Sequence, residues 1–146
     1  MGDNLKYRIE EVVGEELTQI AYTGLVKTAS GAEFFLKSGG PSGAFLCEAH
    51  GLRELALPGV IDVAHVVSVG EDYILTEYTG AGRKKPDFFE DFGRRLARMH
   101  RYTAGTFGFR EDNYIGTNLQ PNLTSDNEAS DWTRFWFNKR LLFQFR

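Results

Sequence analysis

The sequence predicts an α+β fold, an antiparallel sheet with one embedded helix followed by a helical segment, and three observations carry that prediction. Short β-branched and aromatic runs flank a turn between Leu17 and Lys37. An apolar helical stripe from Phe45 to Leu57 stops at Pro58-Gly59. Beyond residue 86 the apolar period lengthens from strand spacing to helix spacing. With 146 residues, 42% hydrophobic and 14% aromatic, the chain can bury a core of its own and does not have the composition of a disordered segment.

Taken in order, Leu17 to Val26 and Glu33 to Lys37 read as strands joined by the turn Thr28-Ala29-Ser30-Gly31. Ser38-Gly-Gly-Pro-Ser-Gly43 holds neither helix nor strand and reads as a flexible connector; with no Walker lysine it is not taken for a phosphate cradle. Phe45 to Leu57 is the embedded helix. Val63 to Val69 and Tyr73 to Tyr78 are two further strands about the turn Gly70-Glu71-Asp72. Thr79 to Pro86, rich in Gly and basic residues, is a linker. Asp87 to Tyr102 sets Phe88, Phe92, Leu96 and Met99 at helical spacing, with Arg94, Arg95, Arg98 and Arg101 on a solvated face. A loop from Thr103 to about Ser130 leads to a last helix, Asp131 to Phe145. The expected organisation is a lobe over residues 1–78, a linker over 79–86 and a partial helical lobe over 87–146.

A net charge of −3 with Lys and Arg dispersed leaves no field that would draw the chain to nucleic acid or an anionic membrane, so neither is an expected partner. No run approaches the roughly 18 apolar residues of a bilayer span. The lone Cys47 excludes an internal disulfide and an all-cysteine metal site. The first residues carry no signal-peptide core, and Lys6 stands where a myristoylation signal needs Ser or Thr. A cytoplasmic location is the expectation, and Asn122-Leu123-Thr124 is then a chance match to a glycosylation acceptor. No spacing among His50, His65 and His100 suggests a metal site; His65 reads as a core or edge strand residue.

Lys37 closes an aromatic strand, and Glu48 lies eleven positions on in the following helix. A Lys there is either an ordinary surface residue or a partly buried cation needing a carboxylate from the helix packed above it. The order of parts is informative: hairpin, Lys, connector, helix with Glu, two strands, then Glu77-Tyr78-Thr79 running into a linker. It looks like the N-terminal lobe of protein-kinase-type folds. There the strand Lys holds nucleotide phosphates, the helix Glu orients it, and the backbone after the last strand meets adenine. On the plainer reading Glu77 and Tyr78 are strand-end residues. No Gly-x-Gly-x-x-Gly precedes the hairpin, where Gly14 alone stands, which disfavours a protein kinase proper.

Phe107-Gly-Phe109, Asp112-Asn-Tyr-Ile-Gly116, Gln120-x-Asn122, then Trp132, Phe135 and Arg140-Leu141-x-x-Gln144 form a long and unusual string. It resembles the fructosamine (ketosamine) kinase family, and the likeness extends upstream to Glu48-Ala-x-Gly-Leu52 and Leu96-Ala-x-Met-His100. The resemblance implies a kinase-like fold related to aminoglycoside phosphotransferases, ATP with magnesium as donor, and a sugar-amine adduct on lysine or a small amine as acceptor. It implies Lys37 as the phosphate-binding lysine, Glu48 as its ion-pair partner, and Glu77, Tyr78 and Thr79 as the adenine contact. Residues 107–122 become a structural or substrate-side element, in which Asp112 and Asn113 could equally cap a turn.

The family's His-Gly-Asp-Leu loop, its downstream Asn and its Asp-Pro segment do not occur in these residues, so neither a catalytic residue nor a metal ligand is expected among them. A truncated or split kinase-like chain, not catalytic by itself, is the expectation. Trp132, Phe135, Trp136, Phe137, Leu141, Leu142, Phe143 and Phe145 leave the last helix apolar on more than one side. More chain, a complementing chain, a second copy, or the sheet lobe itself should cover Trp132 to Phe145. A non-catalytic interaction module is the alternative reading.

Overall fold

The computed structural model describes residues 2–145 and separates into two compact units, Met1–Ala56 with Asp62–Phe88, and Leu57–Ile61 with Phe89–Arg146.

The first unit opens with α1 (Gly2–Val13), to which the sequence reading assigned no element. Leu5, Ile9 and Val13 recur every fourth residue and face one way, and both Leu5 and Ile9 are buried. The helix stops at Gly14, whose φ of +72° lets its N–H donate back to the Glu10 carbonyl, a left-handed cap that a side chain would strain.

Five strands follow: β1 (Leu17–Gln19), β2 (Thr23–Thr28), β3 (Glu33–Ser38), β4 (Val66–Val69) and β5 (Tyr73–Glu77), with α2 (Ala44–Leu55) between β3 and β4. They form one antiparallel sheet in the order β1-β2-β3-β5-β4. The stretch expected as a single strand from Leu17 to Val26 is two, because the chain reverses across Ile20 to Tyr22 and β1 folds back on β2. Thr28 organises the β2–β3 turn: buried, it accepts the Ala32 N–H through Oγ1 and shares a hydrogen bond with Ser30 Oγ. β4 starts at Val66 rather than Val63, and His65 is exposed just before it.

Strand pleating sorts the core into two faces. Leu17, Val26, Leu36, Tyr73 and Leu75 pack with Leu5 and Ile9 of α1. Ile74, with partly buried Val66 and Val69, packs with Phe45 and Ala49 of α2. The sheet is thus covered by α1 on one side and α2 on the other.

The second unit contains most of α3 (Phe88–Met99), the hairpin β6 (Asn113–Ile115) and β7 (Asn118–Gln120), and α4 (Asp126–Ala129). A last helical stretch runs through α5 (Trp132–Trp136), a π-helical turn at Phe137–Leu141 and α6 (Leu142–Gln144). The hairpin and α4 fall where the sequence reading expected loop. In α3 no residue is buried: Phe92 is 42% exposed, and the helix carries the i,i+4 ion pairs Glu90–Arg94 and Asp91–Arg95.

Candidate functional site

β3 alternates its side chains, and Lys37 sits opposite Ile74 of β5 while Leu36 sits opposite Leu75. Directly opposed residues share a face. Leu36 therefore enters the core beneath α1, and Lys37 lies on the face that α2 covers. α2 is held there by Phe45 and Ala49, and Glu48, adjacent to Ala49, leans over β3. Lys37 Nζ donates to Glu48 Oε1 at 2.6 Å.

The two side chains keep 45% and 34% of their surface, so the pair is neither dry nor freely solvated. A pair this exposed contributes only about 0–1 kcal/mol to stability. Its consequence is positional: an ammonium held at a defined point above the sheet, with two donors left for an anion.

Glu77 ends β5 three residues beyond Ile74, about 10 Å along the strand from Lys37 at ordinary strand rise. Its side chain is committed, since Oε1 accepts the His65 N–H, and its own N–H donates to the His65 carbonyl. Tyr78 and Thr79 follow, exposed and outside regular structure. A ligand contact by Glu77 would therefore not use its Oε1 or its N–H.

The first unit contains a contact that sequence reasoning missed. Arg8 of α1 grips both carboxylate oxygens of Asp72, Nη1 to Oδ2 at 3.0 Å and Nη2 to Oδ1 at 2.9 Å, and its guanidinium lies 4.8 Å from the Tyr73 ring centroid. The hydrogen bonds from Arg8 hold the Asp72 carboxyl below the usual carboxylate range, and Asp72 raises Arg8 in return. The partners are 64 residues apart, so no local pattern announces them.

In the second unit, several residues of the conspicuous motif string bond one another. Asp112 Oδ1 accepts the N–H groups of Asn122 and Leu123, at 2.7 and 3.0 Å. Asn122, 3% exposed, donates to the Glu111 carbonyl and accepts from Arg140 Nη2, while Arg140 Nη1 donates to the Pro121 carbonyl. Arg140 also lies over the Phe135 ring, which packs with Phe107 and Trp132. Gly108 has φ +101°, and a Cβ there would come within 2.5 Å of the Asn122 carbonyl oxygen. Asp112 is thus the turn-fixing residue, held below the usual carboxylate range chiefly by the Leu123 N–H.

Among the described residues no group of three or more His, Cys, Asp or Glu is placed to hold a metal ion. No helix of the described residues is long and apolar enough to cross a membrane.

A five-stranded antiparallel sheet with one helix laid over the lysine-bearing strand and paired to it through a Glu is the N-terminal lobe of a kinase-like fold. The fructosamine kinase family model matches residues 5–146, and the chain belongs to that family. It is 34% identical to a probable ketoamine kinase of Enterococcus faecium over 143 residues, 94% of this chain and 47% of that protein. It is 36% identical to the chloroplastic protein-ribulosamine 3-kinase of Arabidopsis thaliana over 77% of this chain and 36% of that one. Among solved structures, a candidate fructosamine-3-kinase from Thermobifida fusca superposes with a TM-score of 0.78 at 27% identity, covering 94% of this chain and 51% of its own. The chain spans about half the length of the Enterococcus relative.

Proposed function

We propose that these 146 residues carry the nucleotide-binding half of a ketosamine kinase, an enzyme that transfers the γ-phosphoryl group of ATP to a sugar-amine adduct on lysine or on a small amine. The observation that carries this reading is the Lys37–Glu48 pair, formed between β3 and α2 at 2.6 Å. Lys37 would bind the α- and β-phosphates and Glu48 would keep its ammonium aimed at them. Main-chain groups in the stretch from Glu77 to Thr79, about 10 Å further along the sheet, would receive adenine. No residue of the sequence stands in a His-Gly-Asp arrangement to activate an acceptor hydroxyl. The reading therefore assigns these residues binding of the donor and no transfer by themselves. The lone Cys47, which can form no internal disulfide, supports a cytoplasmic setting.

Calorimetric titration with ATP and magnesium tests the site. Lys37→Ala should weaken binding about tenfold or more, the scale of one charge-assisted contact of roughly 1.5–3 kcal/mol. Equal affinity in both proteins, or binding by neither, removes the claim.

A second reading is favoured by one observation: Trp132, Phe137 and Phe145 are 54%, 52% and 85% exposed on the last helical stretch. An interaction module would dock a copy of itself or a complementing chain there. Sedimentation over a wide concentration range decides, and a strictly monomeric protein counts against self-association through that face.

A further inference from the structure

We infer that Arg8 is a positioning residue for the Lys37–Glu48 grip, acting from α1 through Asp72 on the main chain that leaves β3. The inference rests on the nucleotide reading of that grip.

The path is short and made of named contacts. β3 ends with Ser38 opposite Tyr73, and one rung further the Gly39 N–H donates to the Asp72 carbonyl at 3.1 Å. Gly39 and Gly40, at φ +82° and +112°, then turn the chain away toward α2. That rung is the last hold of the sheet on the chain before the connector. Lys37 lies two residues before it and Glu48 nine after. Where Gly39 is pinned therefore bears on both ends of the ion pair.

Asp72 occupies an exposed turn and would be a mobile anchor by itself. Arg8 removes that freedom by holding both carboxylate oxygens in a planar fork. Arg8 is itself fixed: the neighbouring Ile9 is wholly buried, and the guanidinium lies over the Tyr73 ring, whose hydroxyl bonds Ser68. Room for the arrangement comes from Gly70, where a Cβ would lie 2.7 Å from Tyr73 Cε1 and 2.9 Å from Arg8 Nη2. The geometry accommodates the fork at a glycine, stacks it and aims it at the one turn that holds Gly39.

A decorative surface pair would behave differently from a positioning one, and the full chain can tell them apart. Arg8→Ala, and Arg8→Lys, which keeps the charge and loses the fork, are titrated with ATP and magnesium and with adenosine. The Gly39 amide is followed by hydrogen exchange without ligand. The expected result is ATP binding about fivefold weaker, the scale of one bidentate pair with its cation–π contact, and unchanged adenosine binding. Gly39 exchange should accelerate by a similar factor while amides at the β2–β3 rungs keep their rates. Unchanged Gly39 exchange overturns the inference whether or not nucleotide binds. Parallel losses of ATP and adenosine also overturn it, because Arg8 would then support the lobe as a whole. Absence of ATP binding by the unsubstituted chain would instead sink the nucleotide reading, and the inference with it.

Discussion

At Asp112 one carboxylate oxygen receives two main-chain N–H groups that a loop would otherwise leave to water. Its folded-state affinity for a proton is lowered, mainly by the Leu123 N–H and then by that of Asn122, against an opposing desolvation. The folded value lies below the unfolded one, so the stabilisation is fully present above about pH 4 and is lost as pH falls through the lowered folded value. Asp112→Asn keeps the shape and loses the charge. It should reduce stability at neutral pH by about 1–2 kcal/mol and flatten the acid limb below about pH 4. The chain's two tryptophans, Trp132 and Trp136, both lie in α5, so urea unfolding followed by tryptophan fluorescence reads the second unit. An unchanged acid limb in the variant would show that the charge is not what holds the turn. Lys37 and Glu48 were legible from the sequence as residue types in a known order of elements. Arg8 and Asp72 were not, because a bond across 64 residues leaves no mark on composition or period.

Elements were readable where their period was long enough to express itself. α2, β5, α3 and the helical content after Asp131 fall close to where apolar spacing and breakers put them. β6 and β7 escaped because three residues each cannot display an alternation. α1 escaped because its stripe of Leu5, Ile9 and Val13 is thin and interleaved with charge. The π-helical turn at Phe137–Leu141 was unreadable in principle, since one extra residue per turn changes the geometry and not the amino acids. It has a consequence for burial: a π turn shifts the faces of the two flanking segments relative to each other, so a continuous helical wheel misassigns them. The start of this stretch depends on Asp131, whose Oδ1 accepts the N–H groups of Thr133 and Arg134 at 2.9 and 3.2 Å. Asp131→Ala should cost about 1 kcal/mol in tryptophan-detected unfolding, and Asp131→Asn only a few tenths. Equal losses for both would mean that the charge, through its ion pair with Arg134, matters more than the cap.

At the scale of the molecule, the lysine, its glutamate and the strand end all belong to the first unit, whereas the motif string that distinguishes the family belongs largely to the second. The chain's recognisability and its proposed chemistry therefore reside in different places. Recognition came from residues whose observed work is structural, such as Asn122, Arg140 and Gly108, which must keep their identities because each meets a close neighbour. The proposed grip uses two residues of common type that could not by themselves have named a family. This division makes a prediction that neither unit alone would make. A ligand bound only by the folded first unit stabilises it by RT ln(1 + [L]/Kd), about 2.7 kcal/mol at a hundredfold excess over Kd. Hydrogen exchange with ATP and magnesium should slow amides in β3, α2 and β5 and leave those of the β6–β7 hairpin and α5 at their original rates. ADP release with a ketosamine acceptor present should stay at the background of the protein-free mixture. Protection spreading equally into the hairpin and α5 would mean that the nucleotide contacts, or is coupled to, the second unit. Turnover above background would mean that these 146 residues hold an acceptor-activating group that the absence of a His-Gly-Asp arrangement led us to deny them.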